Sequence, residues 1–190
     1  MSKVNIGKNT FIYPNPVTLV GTMIDGKPNF MAVGWISRVN ANPPLVAIGI
    51  GKTHHTPKGI IESKAFSISY PNVELAEVAD YCGLVSGKDT DKSRLFEVFY
   101  GELGNAPMIS QCPLCMECRL VNTVDLATNY LFIGEIVASY AEDSCMTEGK
   151  PDIKKINPLL LTMPDNRYWA VGDYVGKAWG IGKKFKRSWA

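Results

Sequence analysis

The dipeptide Asp25-Gly26 separates two apolar, β-branched runs, "PVTLVGTMID" (16–25) and "PNFMAVGWISRV" (28–39). Asp-Gly tolerates the left-handed backbone that a tight two-residue turn demands. The stretch therefore predicts two antiparallel strands joined by a hairpin, the second running through residues 28–39. A hairpin alone cannot bury its apolar face in water and needs further strands or a helix against it. Further strands follow. "PPLVAIGIG" (43–51) is an almost wholly apolar run, as expected of a strand buried on both faces. "AFSISYP" (65–71) alternates. "CMECRLVNTV" (115–124) and "YLFIGEIVASY" (130–140) are joined through "DLATN", and "RYWAVGDYVG" (167–176) closes the series.

Helical signals are fewer. Thr56-Pro57 suits the N-cap and first position of a helix over "PKGIIESK". Asn72 can cap "VELAEVADY", and "DKSRLFEVF" (91–99) is a third candidate. About six strands with two or three short helices predict a mainly β fold, an antiparallel barrel with helices outside it. The length, 190 residues, suits one domain spanning 1–190.

A net charge of +2 is too small to point to nucleic acid, and the basic run "KKFKR" (183–187) reads equally as a solvated tail. No apolar run reaches the roughly 18–20 residues of a membrane span, and "MSKVNIGKNT" lacks the apolar centre of a signal peptide. The expected location is the cytoplasm, where thiols stay reduced. Five cysteines, an odd number, also disfavour a disulfide framework.

Cys112, Cys115 and Cys118 sit three apart in "QCPLCMECRL", the spacing with which iron–sulfur and zinc sites often begin. A fourth ligand is missing nearby, since position 122 is Asn and Cys145 is far downstream. The only histidines are the adjacent His54 and His55. In a strand, Cys115, Glu117 and Arg119 face away from Met116, Cys118 and Leu120, so Cys115 and Cys118 would point to opposite faces. Ordinary strand cysteines are the expectation, with a cysteine-ligated metal or iron–sulfur protein as the competing class.

"GLVSGKD" (83–89) has one residue too few between its glycines for a nucleoside-triphosphate loop, and Asp89 where Ser or Thr belongs. It reads as a polar loop. "WGIGKK" lacks the third glycine of a dinucleotide fingerprint, and no GxSxG elbow occurs. More telling is "KTHHT" (52–56), set between a buried strand ending at Gly51 and the helix starting at Pro57. Free backbone N–H groups and the positive dipole end suit a phosphate there. Lys52, Thr53, His54, His55 and Thr56 add donors. A plain capped helix would leave the same trace.

"NFMAVGWISRVNANPPLVAI" (29–48), "THHTPKGIIESKAFSISYP" (53–71), "DYCGLVSGKDTDK" (80–92) and "MECRL…LFIGEIV" (116–137) together resemble the flavin reductase-like family, and within it most the flavoredoxins. The resemblance runs from about Pro14 to the C-terminus. It implies an FMN-binding split β-barrel, assembled as a homodimer. FMN would relay electrons from NAD(P)H or a redox protein donor to flavin, oxygen or a partner protein. It implies flavin contacts along Asn29, Met31, Ala32, Val33, Gly34 and Trp35, and at Gly51, Lys52, Thr53, His55, Thr56 and Lys92. Lys92 is expected on a polar loop. Family members often carry Thr or Ser where this chain has Ala32 and Gly34, so backbone N–H groups would have to replace those side chains. No separate acid–base catalyst is implied. A flavin-storing interaction module without catalysis is the remaining alternative.

Overall fold

The computed structural model describes residues 2–9 and 11–185; the basic run that begins at Lys183 leaves the described residues after Phe185. Thr18–Ile24 (β1) and Lys27–Val33 (β2) form the hairpin read from Asp25-Gly26, with Ile24 opposite Lys27 and Thr18 opposite Val33. Asp25 and Gly26 both take positive φ, 48° and 77°, so the turn has the left-handed pair that matches strand twist.

Ile36–Asn40 (β3), Leu45–Gly51 (β4), Thr56–Ser63 (α1), Ala65–Tyr70 (β5), Ala76–Leu84 (α2), Leu114–Asp125 (β6) and Asn129–Ala141 (β7) complete the frame. The seven strands form one antiparallel sheet in the order β2-β1-β5-β6-β7-β4-β3. Its two edge strands, β2 and β3, are neighbours in the chain, joined only by Gly34 and Trp35. The sheet thus curls until its edges come together at one corner without pairing, a barrel split along one seam. Val20, Val33, Ile48, Phe66, Cys118 and Phe132, one from each of β1, β2, β4, β5, β6 and β7, share the interior cluster. Ile60 of α1 joins them.

The single strand predicted over 28–39 is therefore two strands at opposite edges. The Ile36 N–H donates to the Gly34 carbonyl at 3.2 Å, a tight bend that carries the chain across the seam. Alternation resumes after the bend, which is why periodicity alone missed it. The third helix candidate, 91–99, yields only a single turn, Lys92–Leu95, and then runs extended through Val98–Phe99. The final run, 167–176, keeps a strand only over Arg167–Trp169.

A second apolar layer lies on the outer face. Asn72 caps the turn that leads into α2, accepting from the Leu75 N–H. Ala79 and Cys82 of α2 pack on Leu19 and Phe30, together with Met108, Ile109, Cys112 and Cys115. Among the described residues no helix is long and apolar enough to cross a membrane.

Candidate functional site

β4 ends at Gly51, and after four intervening residues α1 begins at Thr56. His55, not Thr56, occupies the N-cap position, with helical backbone and no side-chain capping bond. Thr56 is only 2% exposed, and its hydroxyl oxygen accepts from the Asn29 amide nitrogen at 3.0 Å. The cap expected from Thr56-Pro57 is thus replaced by a bond to β2. In the first turn Pro57 has no N–H and the Lys58 N–H donates to the His55 carbonyl at 3.2 Å, so the Thr56 N–H is the donor left at the helix start, which remains electropositive. Gly87 lies directly against Asn29: a Cβ there would run into the Asn29 amide oxygen.

Lys92 does not sit on an open polar loop. It is 3% exposed. Its ammonium donates to the carbonyls of Cys82 at 3.1 Å and Val85 at 3.0 Å, capping the C-terminal end of α2. Lys and Arg near a helix C-terminus are favoured by its dipole. Burial nevertheless pushes the Lys92 pKa down, and among the described residues no carboxylate forms an ion pair with it. Two of three ammonium donors are used and one remains. A buried cation of this kind favours an incoming anion.

Two cavities meet at His55, Gly87 and Lys92. The larger, about 520 Å³, is walled by Asp25, Asp89 and Asp91 as well as lysines. The smaller, about 200 Å³, has no carboxylate in its lining. Lys92, the two histidines, Thr53, Thr56 and residues 82–87 surround it. The smaller is the better match for an anion, because in the larger the three carboxylates offset the three lysines, Lys27, Lys88 and Lys92.

The fold brings together Met31, Thr53, His55, Thr56 and Lys92 around the smaller cavity, with Asn29 behind Thr56. Gly51 lies beneath the His54 ring. Other residues named from the sequence fall outside both cavities. Lys52 pairs with Asp125 and lies 5.2 Å over the Tyr130 ring. Ala32 faces α2 at Gly83, Val33 is in the barrel interior, and Gly34 packs beside Pro16. Trp35 is 48% exposed and tilts against Phe11, their ring centroids 6.2 Å apart. The residues missed are Cys82 to Gly87, which form the far wall. Their signal was the polar "GLVSG" loop, set aside because it fits no triphosphate pattern.

Cys115 and Cys118 do fall on opposite faces, as strand alternation predicts. Cys115 is in the outer layer, where Ser69 and the Ile109 carbonyl lie 3.4 and 3.5 Å from its sulfur. Cys118 is in the barrel interior. Burial pushes the Cys112, Cys115 and Cys118 thiols up, as suits cysteines packed in apolar layers. Serine at any of the three should leave the fold intact and cost about 1–3 kcal/mol, the penalty of a buried hydroxyl. Thermal melts and elemental analysis check this. Stoichiometric iron or zinc, lost in the variants, would reverse the assignment.

The flavin reductase like domain model matches residues 10–163. Among solved structures, flavoredoxin from Methanosarcina acetivorans is 57% identical, with a TM-score of 0.94 over 96% of this chain and 98% of that one. Flavoredoxin of Desulfovibrio vulgaris (Miyazaki F) is 34% identical, with a TM-score of 0.89 over 96% of this chain and 100% of that one. An FMN-binding protein from Thermus thermophilus, 22% identical with a TM-score of 0.80 over 93% and 97%, shares the fold.

Proposed function

Because the chain belongs to the flavin reductase-like family, we propose that it is an FMN-dependent electron-transfer oxidoreductase of flavoredoxin type. One observation carries the choice of FMN: a carboxylate-free pocket holding a buried ammonium that has no counter-ion among the described residues, beside a helix start without a side-chain cap. The residues fit a terminal phosphate. Lys92, the Thr56 hydroxyl and the Thr56 N–H at the start of α1 would hold it through charge-assisted hydrogen bonds. The main chain of 83–87 and Met31 would wall the chain behind it. The bound cofactor supplies the redox chemistry, and the protein supplies binding, orientation and electrostatics. No acid–base side chain is needed in that division of labour.

NAD(P)H or a redox protein is the donor in this reading, and flavin or a redox partner the acceptor. Self-association is part of it as well. The edge strand β3 has one unpaired side, a natural pairing surface. Val39 on that strand and Val121, Val124 and Leu126 on the β6–β7 hairpin are exposed. A symmetric homodimer would cover such surface. The five free thiols suit a reducing cytoplasm.

The test is an absorption spectrum of the purified protein, then titration of the apoprotein with FMN and riboflavin, with light scattering on the same sample. A flavin band near roughly 450 nm, a dimer mass, and at least about tenfold preference for FMN are expected. Equal affinity for the two flavins would remove the phosphate pocket from the reading.

A further inference from the structure

The geometry points to Asn29 as a positioning residue that turns the Thr56 hydroxyl into a committed donor and so sets the pocket's preference for a phosphate. This rests on the FMN reading above.

Asn29 and Thr56 stand back to back. Asn29 lines the larger cavity and Thr56 the smaller. The Asn29 side chain does not line the phosphate pocket, so its influence there passes through the bond to Thr56. A hydroxyl is one donor and an acceptor. Here the oxygen already accepts from the Asn29 amide, and both side chains are buried, at 7% and 2% exposed. The hydroxyl hydrogen is the group left to face the cavity. No other side-chain partner holds the Thr56 hydroxyl among the described residues.

Gly87 completes the device. It approaches the Asn29 amide oxygen so closely that a side chain there would displace the amide. The pocket's lysine is fixed in the same sense, since Lys92 has two of its N–H groups committed to carbonyls. Every side chain so fixed presents hydrogen rather than a lone pair. Such a donor-only set welcomes a phosphate oxygen and gives a riboflavin hydroxyl, itself part donor, a poorer match.

A double-mutant cycle on the apoprotein tests this, read by FMN and riboflavin titration. Asn29→Leu keeps the volume and removes the amide. It should weaken FMN about five- to tenfold and leave riboflavin within about twofold, since one oriented neutral hydrogen bond is worth about 1 kcal/mol. In a Thr56→Val background the same change should cost FMN nothing further. In a Thr56→Ser background, which keeps the hydroxyl, it should cost as much as in the parent. Equal loss of both flavins, or full additivity with Thr56→Val, overturns the proposal. Should Asn29→Leu fold poorly, Asn29→Asp serves: its carboxylate would accept the hydroxyl hydrogen, and an unchanged FMN preference would overturn the proposal equally. A parent that does not favour FMN over riboflavin would instead defeat the FMN reading itself.

Discussion

Lys92→Met is expected to bind FMN about ten- to a hundredfold more weakly than the parent while riboflavin binding changes little. A hydrogen bond to a charged group contributes about 1.5–3 kcal/mol, and each 1.4 kcal/mol is about tenfold in affinity. Apoprotein stability should respond differently, and two effects compete. The ammonium is buried, which penalises its charge, as its lowered pKa reflects. It also satisfies the Cys82 and Val85 carbonyls at the end of α2. Methionine removes the desolvation cost but leaves both carbonyls without that donor. The two changes are of similar size, so the apo form should melt within about 1 kcal/mol of the parent. Lys92→Ala also removes the buried stem and should lose about 2 kcal/mol or more. Flavin titration alongside apo melts separates the two roles. A Lys92→Met protein that keeps its FMN-over-riboflavin preference would show that the ammonium serves α2 alone.

The largest loss of stability is expected at Glu117. Its side chain is 0% exposed. The carboxylate accepts from the Glu102 and Leu103 N–H groups at 2.7 and 2.9 Å and from the Tyr140 hydroxyl at 2.8 Å. The bond to Glu117 raises the Tyr140 pKa. Glu117→Ala would orphan three part-buried donors at once, each costing toward the lower end of about 1–3 kcal/mol because water reaches them in part. The sum, about 3–5 kcal/mol, would lower the melting temperature by roughly 10 °C or more for a chain of this size. Glu117→Gln keeps the volume but turns an amide donor toward donors, and should lose about half as much. The network lies away from both cavities, so the folded fraction should still hold FMN with parental affinity. A Glu117→Ala protein with parental melting but lost flavin would place the carboxylate in the site instead.

Glu117 also shows where sequence reasoning stops. Alternation put it on the same face as Cys115, and that is correct. Nothing in the alternation says that residues 102 and 103 fold over that face and bury it. The same limit appears at Trp35. The motif around it reads as one strand, yet it sits at the barrel's open corner, exposed and against Phe11.

Features that depend on near neighbours were legible in the residues alone. Asp25-Gly26 set the first hairpin, because only certain residues accept its backbone. Period-two alternation separated Cys115 from Cys118, and with them the idea of a shared metal. Apolar runs and turn residues located most strands, and "KTHHT" marked a strand feeding a helix start. Which groups those elements bring together depends on how the whole chain closes. Asn29 reaches Thr56 across 27 positions of sequence, which moves Thr56 from capping a helix to facing a pocket. Lys92 is buried because α2 ends above it, not because of its own loop. The break at Gly34-Trp35 follows from a sheet of seven strands whose two edges must meet at a corner. Local patterns report which way a side chain points; its partner is set by chain closure, which links residues far apart and leaves no period in the sequence.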